Sequence, residues 1–148
     1  MNKIWLFRDE NKYMEFSSKI MSIIPIIGMF NGDYYLSPYF FSTASISSLY
    51  WSNPQYNCIR TMDIFLARTG VIGSILYNYY YIENIPIKII LPLTYSGAIG
   101  NYLYGCNLHA KRNRMWFVNH YLSHWISIFS HSIMIAYALN NKSNKLLL

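Results

Sequence analysis

The fold this sequence predicts is an all-α bundle embedded in a membrane, with about five transmembrane helices. Three observations lead there: too little charge for a wetted surface, apolar stretches of near-span length, and cations gathered between those stretches. Only 12% of the 148 residues are charged, while 53% are apolar and 18% aromatic. A soluble domain carries about 25% charged residues. The 15 Tyr, with many Asn and Ser, dilute the aliphatic residues, so hydropathy has to be read segment by segment. At this length the whole chain, 1–148, reads as a single multi-pass domain.

After a polar head, Ile20–Phe30 is the first apolar block. It is short for a span unless it extends back through Met14 with Lys19 snorkelling, or else it is re-entrant. Asn31-Gly32-Asp33 signals a turn. The second element, Tyr34–Trp51, is rich in aromatic and small residues, has Pro38 in its first turn and is stopped by Ser52-Asn53-Pro54. The third runs from Met62 to about Tyr81, and its Ala67, Gly70, Gly73 and Ser74 form a small-residue face suited to close helix packing. Glu83, Asn84 and Pro86 interrupt the pattern before the fourth, Ile85–Tyr104, whose Pro92, Gly97 and Gly100 a bilayer helix tolerates. Lys111, Arg112 and Arg114 make a polar hinge, and Met115–Leu139 is the fifth and longest element.

The charges set an expected orientation. In a five-span arrangement Lys3, Arg8, Lys12, Lys19, Arg60, Lys111, Arg112 and Arg114 fall on the side of the N-terminus, and Lys88, Lys142 and Lys145 fall opposite. Basic residues favour the cytosol, so the N-terminus is expected to be cytoplasmic and the C-terminus outside or lumenal. The acidic residues Asp9, Glu10 and Glu15 among the N-terminal cations do not suit a cleavable signal, so entry through an internal span is expected. A net charge of +6 would suit a nucleic-acid partner only if gathered on one solvated face; here it lies between apolar blocks. Membrane lipid is the expected partner, and nucleic acid is not. Cys58 and Cys106 form no CxxC pair and carry no assigned role.

This topology brings the end of the second element and the starts of the third and fifth to one leaflet. Ser47 and Trp51 close the second, Asp63 opens the third, and His120 and His124 begin the fifth. An ionisable group within a bilayer costs about 2.5–3.5 kcal/mol, so an Asp and two His at one depth call for mutual pairing or a function. His120 and His124, four apart, share a helix face with about 6 Å of rise between them. That spacing lets two imidazoles grip one zinc ion, with Asp63 as the available third ligand. His131 shares the face but lies about 10 Å further along. Interhelical hydrogen bonding accounts for the same residues without a metal. Asp63 taken alone has further partners open to it, Arg60, Arg68 or a helix N-terminus.

The ordered set Ser47-Ser48-Leu49-Tyr50-Trp51, Asp63 and His120-Tyr121-Leu122-Ser123-His124 resembles the CREST superfamily of membrane hydrolases. That group includes the alkaline ceramidases and the progestin and adiponectin receptor relatives. Its pattern is a Ser followed four residues later by His near the end of the second helix, an Asp opening the third, and HxxxH in the last. The resemblance implies zinc held by histidines and a metal-bound water attacking a lipid amide. His120 and His124 would be ligands, and Ser47 and Asp63 would act catalytically on that water and the developing oxyanion. Trp51 stands where the family has its first His ligand, and about one element rather than three separates Asp63 from His120. The expected function is therefore that of a multi-pass membrane protein resembling the zinc-dependent, ceramidase-like lipid amide hydrolases, with lost or altered activity. The alternative is a non-enzymatic scaffold of, for instance, a viral or organellar membrane.

Overall fold

A computed structural model describes residues 10–55 and 58–146, with side chains as far as Asn141. Its regular elements are all α-helices: α1 (Glu10–Met21), α2 (Ile23–Phe30), α3 (Leu36–Ser52), α4 (Cys58–Tyr81), α5 (Ile85–Ala110) and α6 (Met115–Leu146). The first two are halves of one interrupted rod, so the bundle has five rods. Pro25 lacks the N–H that would bond back to Met21, and the ladder resumes only where Ile26 N–H reaches the Ser22 carbonyl at 3.1 Å. The first apolar block thus extends back to Glu10, further than the sequence pattern alone required.

Local chemistry sets the remaining boundaries. Gly32 takes φ 87°, which turns the chain out of α2. Asp33 then receives the backbone N–H groups of Tyr35, Leu36 and Ser37 at 3.2, 3.1 and 2.9 Å, and the Ser37 hydroxyl at 2.7 Å. One carboxylate thereby satisfies the opening donors of α3. Asn84 caps α5, accepting from Ile87 N–H at 3.1 Å, with Pro86 in the first turn. Three expected boundaries move. The third rod begins at Cys58, α5 runs through Cys106 and His109 into what the charge pattern marked as hinge, and α6 continues past Leu139 to Leu146.

The small-residue face of α4 is only partly as expected. Gly70, Ser74 and Asn78 are buried at four-residue spacing, whereas Ala67 and Gly73 face outward. Gly70 approaches the Tyr39 ring, and Tyr39 Oη donates to the Leu66 carbonyl at 2.6 Å, which fastens α3 to α4. Gly28 is the tightest approach. A Cβ there would fall 2.0 Å from Ser37 Oγ and 3.0 Å from a methyl of Ile135. Because Ser37 is itself held by Asp33, Gly28→Ala is expected to destabilise the bundle by about 1–3 kcal/mol. Thermal unfolding in detergent micelles checks this, and an unchanged midpoint would contradict it.

Large apolar side chains lie both inside and outside the bundle, and several serines are buried among the inner ones. Fully buried side chains include Ser17, Ser18, Ser37, Ser74 and Ser130, while Phe65, Ile72, Leu93, Leu103, Leu122 and Phe129 lie on the outside at 46–66% exposure. On α6, Val118, Leu122, Trp125 and Phe129 make one outward stripe. Among the described residues only Met115–Asn141 of α6 is long and apolar enough to cross a membrane on its own. Of the five expected spans the others fall short: α1, α2 and α3 have 12, 8 and 17 residues, while α4 is interrupted by Asp63, Arg68 and Asn78 and α5 by Lys88 and Asn101. Two apolar clusters tie the rods together. One joins Phe40, Leu91, Tyr95 and Met134; the other joins Met14, Trp51, Leu108 and Trp116 at the opposite end.

Candidate functional site: a polar cavity beside α6

The α5 and α6 rods pack along their length, since the four-residue connection at 111–114 makes them antiparallel neighbours. Gly105 permits this closeness near the site: a Cβ there would lie 3.1 Å from the Trp116 carbonyl oxygen and 3.4 Å from His120 N. On the other side α3 holds α4. Among the described residues the backbones of α4 and α6 nowhere come within 8 Å of each other. The gap is a partly open cavity of about 510 Å³ whose walls include Ser47, Trp51, Asp63, His120 and His124. Residues far apart in sequence thus share one cavity, and they sit on three different rods.

On the α3 and α4 walls, the Ser47 hydroxyl and the positive field of Arg60 both favour the charged form of Asp63. Ser18 of α1 completes the row, with its hydroxyl 3.1 Å from Ser47 Oγ and 2.9 Å from the Met14 carbonyl. Asp63 lies in the second turn of α4, since the helix starts at Cys58, so the N-terminal helix dipole is not what holds it. Ser47 and Arg60, not either histidine, are the groups that act on it.

On the α6 wall, His124 Nδ1 lies 3.0 Å from Ser17 Oγ, which in turn donates to the Met14 carbonyl at 2.9 Å. A hydroxyl has one proton to give, so with that bond formed His124 donates through Nδ1–H and keeps its lone pair on Nε2. His120 stands 5.4 Å from His124 between ring centroids, at an interplanar angle of 51°. It is enclosed by aromatic edges: Trp51 at 5.4 Å, Tyr102 at 5.2 Å and Trp116 at 5.9 Å. His131 lines the same cavity further along α6, stacked 3.8 Å from Phe40.

Zinc requires at least three protein ligands converging on one point. Among the described residues no three His, Cys, Asp or Glu side chains converge in that way. The His120/His124 pair supplies two imidazoles from α6, Asp63 is engaged by Ser47 from α4, and Trp51 offers an indole where a third imidazole would serve. The donor set in this arrangement does not fit the expected two-His-one-Asp centre, and no catalytic step through a metal follows from it.

Several residues of this site lack any distinguishing mark in the sequence. Ser17 and Ser18 come from α1, where only their position between Met14 and Met21 on the buried face set them apart. Tyr102 and His109 come from α5, and His109 lies edge-on to Trp116 at 4.9 Å. A helix carried past Tyr104 would have placed His109 beside the site. No family model, no curated protein and no solved structure matches the chain.

Proposed function

We propose that the chain is a multi-pass membrane protein that draws part of a membrane lipid into the cavity between α3, α4, α5 and α6. The observation that carries this reading is the pairing of an apolar outside with a partly polar cavity. Exposed aliphatic and aromatic residues cover much of the outside, and hydroxyl, imidazole, carboxylate and guanidinium groups stand among apolar ones on the walls of one partly open space. The cavity walls are themselves amphiphilic. Val71, Ile99 and Leu103 face it beside Ser47, Asp63 and His120. A volume of about 510 Å³ is that of an ordinary ligand pocket. The charge asymmetry puts the polar end of the cavity at the cytoplasmic leaflet.

The experiment is lipid extraction from the purified full chain in mild detergent, compared with Ala67→Trp. Ala67 is exposed and lines the cavity, so an indole there fills the space from its open side without displacing core residues. Stoichiometric lipid that Ala67→Trp abolishes, with helicity retained, is the expected result. Equal and negligible lipid in both proteins would reject the reading.

A second reading, metal-dependent hydrolysis of a lipid amide as in the CREST enzymes, is favoured by the facing His120 and His124 rings. The His124–Ser17 contact supports it as well, because it leaves Nε2 as the unprotonated nitrogen, the one a metal-ligating histidine would use. Metal analysis of the purified protein beside His124→Ala decides it: zinc that is absent, or indifferent to that change, rejects this reading. The scaffold alternative accounts for the Ser17–His124 and Ser18–Ser47 contacts as fastenings of α1 to α6 and α3, but gives no reason for the cavity.

A further inference from the structure

Resting on the lipid-binding reading, we infer that the cavity selects an amphiphile with an anionic head group, a phosphate or carboxylate, held along α4 between Arg60 and Arg68. The charged residues of the cavity wall, histidines aside, are Arg60, Arg68 and one acid, Asp63. Asp63 is already engaged by Ser47 and the field of Arg60. The walls therefore carry net positive charge before any histidine is protonated. Arg68 stands about 15 Å into α4 from Cys58. It has no ion pair within the described residues, and the Tyr102 phenol lies within electrostatic reach of both guanidinium groups. A guanidinium at that depth in a bilayer is costly without an anion beside it, and its fork geometry suits phosphate and carboxylate oxygens.

The second observation is independent of charge. Trp51 and Trp116 both line the cavity, their rings stack 6.4 Å apart, and each is more than nine-tenths buried. Their Nε1–H groups are buried with no acceptor. An indole nitrogen can only donate, so these two N–H groups, packed behind the cavity surface, each lack the oxygen acceptor they would take. An oxyanion supplies acceptors and charge together. Lys111, Arg112 and Arg114, exposed on the α5–α6 connection next to Trp116, set a basic rim at the same end that favours approach of an anionic surface.

The test titrates the full chain in neutral detergent micelles with short-chain phosphatidylglycerol, with phosphatidylcholine of the same chains, and with inorganic phosphate. Binding is read by thermophoresis. The expected result is a preference of about tenfold for the anionic lipid over the zwitterionic one, weak competition by phosphate, loss of the preference in Arg68→Gln and its retention in Arg68→Lys. Trp51→Phe, which keeps the ring and removes the donor, is expected to cut the preference as well, and it carries the test if Arg68→Gln does not fold. Equal binding of both lipids would overturn the anionic selection and leave the lipid cavity standing. Binding of neither would remove both. Full competition by inorganic phosphate would show an anion site without a lipid, and an undiminished preference in both variants would place the selectivity elsewhere.

Discussion

Replacing Asp33 by alanine is expected to lower the stability of the bundle by on the order of 3 kcal/mol, as read by thermal unfolding in detergent micelles. The carboxylate is 8% exposed and accepts from three consecutive backbone N–H groups and from the Ser37 hydroxyl. Alanine would leave these donors without a partner at the start of α3. It would also free Ser37, whose hydroxyl fills the space beside Gly28. Since α3 carries Ser47 and Trp51 at its far end, the loss extends to lipid binding. Asp33→Asn keeps an acceptor oxygen and should recover much of the stability. Equal midpoints for wild type and Asp33→Ala would show that water replaces the carboxylate without cost.

The second large effect is expected at Gly105, where valine would cost about 2–3 kcal/mol. What a Cβ meets there is backbone, the Trp116 carbonyl at 3.1 Å and His120 N at 3.4 Å, so no side chain can rotate to make room. Relief requires α5 and α6 to separate. Such a shift carries Trp116 and His120 away from Trp51, so the variant should lose lipid binding along with stability. Gly97 is the control, since nothing lies within 4 Å of a Cβ built on it. Gly97→Ala should gain roughly 0.5–1 kcal/mol from helix propensity. Equal behaviour of the two variants would mean that the α5–α6 crossing does not depend on Gly105.

The helical class and the turns were legible from local chemistry, because caps and breakers act within a few residues of themselves. Asn31-Gly32-Asp33 marks the turn before α3, Ser52-Asn53-Pro54 its end, and Asn84 with Pro86 the start of α5. The ends of α4 and α5 were less legible. Cys58, Ile59, Arg60 and Thr61 hold no strong capping signal, and the polar Asn107 and His109 look like loop to a hydropathy reading although they continue the helix. A polar residue facing a cavity and one facing solvent carry the same letter, and only the neighbours across the gap distinguish them.

The grouping of Ser47, Asp63, His120 and His124 follows from helix order and alternation alone, since consecutive rods joined by short connections must bring those ends to one level. Their pairing does not follow. It depends on a fraction of a helical turn and on the few ångströms by which Gly105 lets α6 approach α5 while α4 stays apart. The result joins Asp63 to Ser47, His124 to Ser17 and His120 to aromatic edges. Periodicity sets depth along a rod, and depth is additive residue by residue. Which side chains touch depends on how whole rods rotate and cross, a sum over packing contacts that no local stretch of the chain contains.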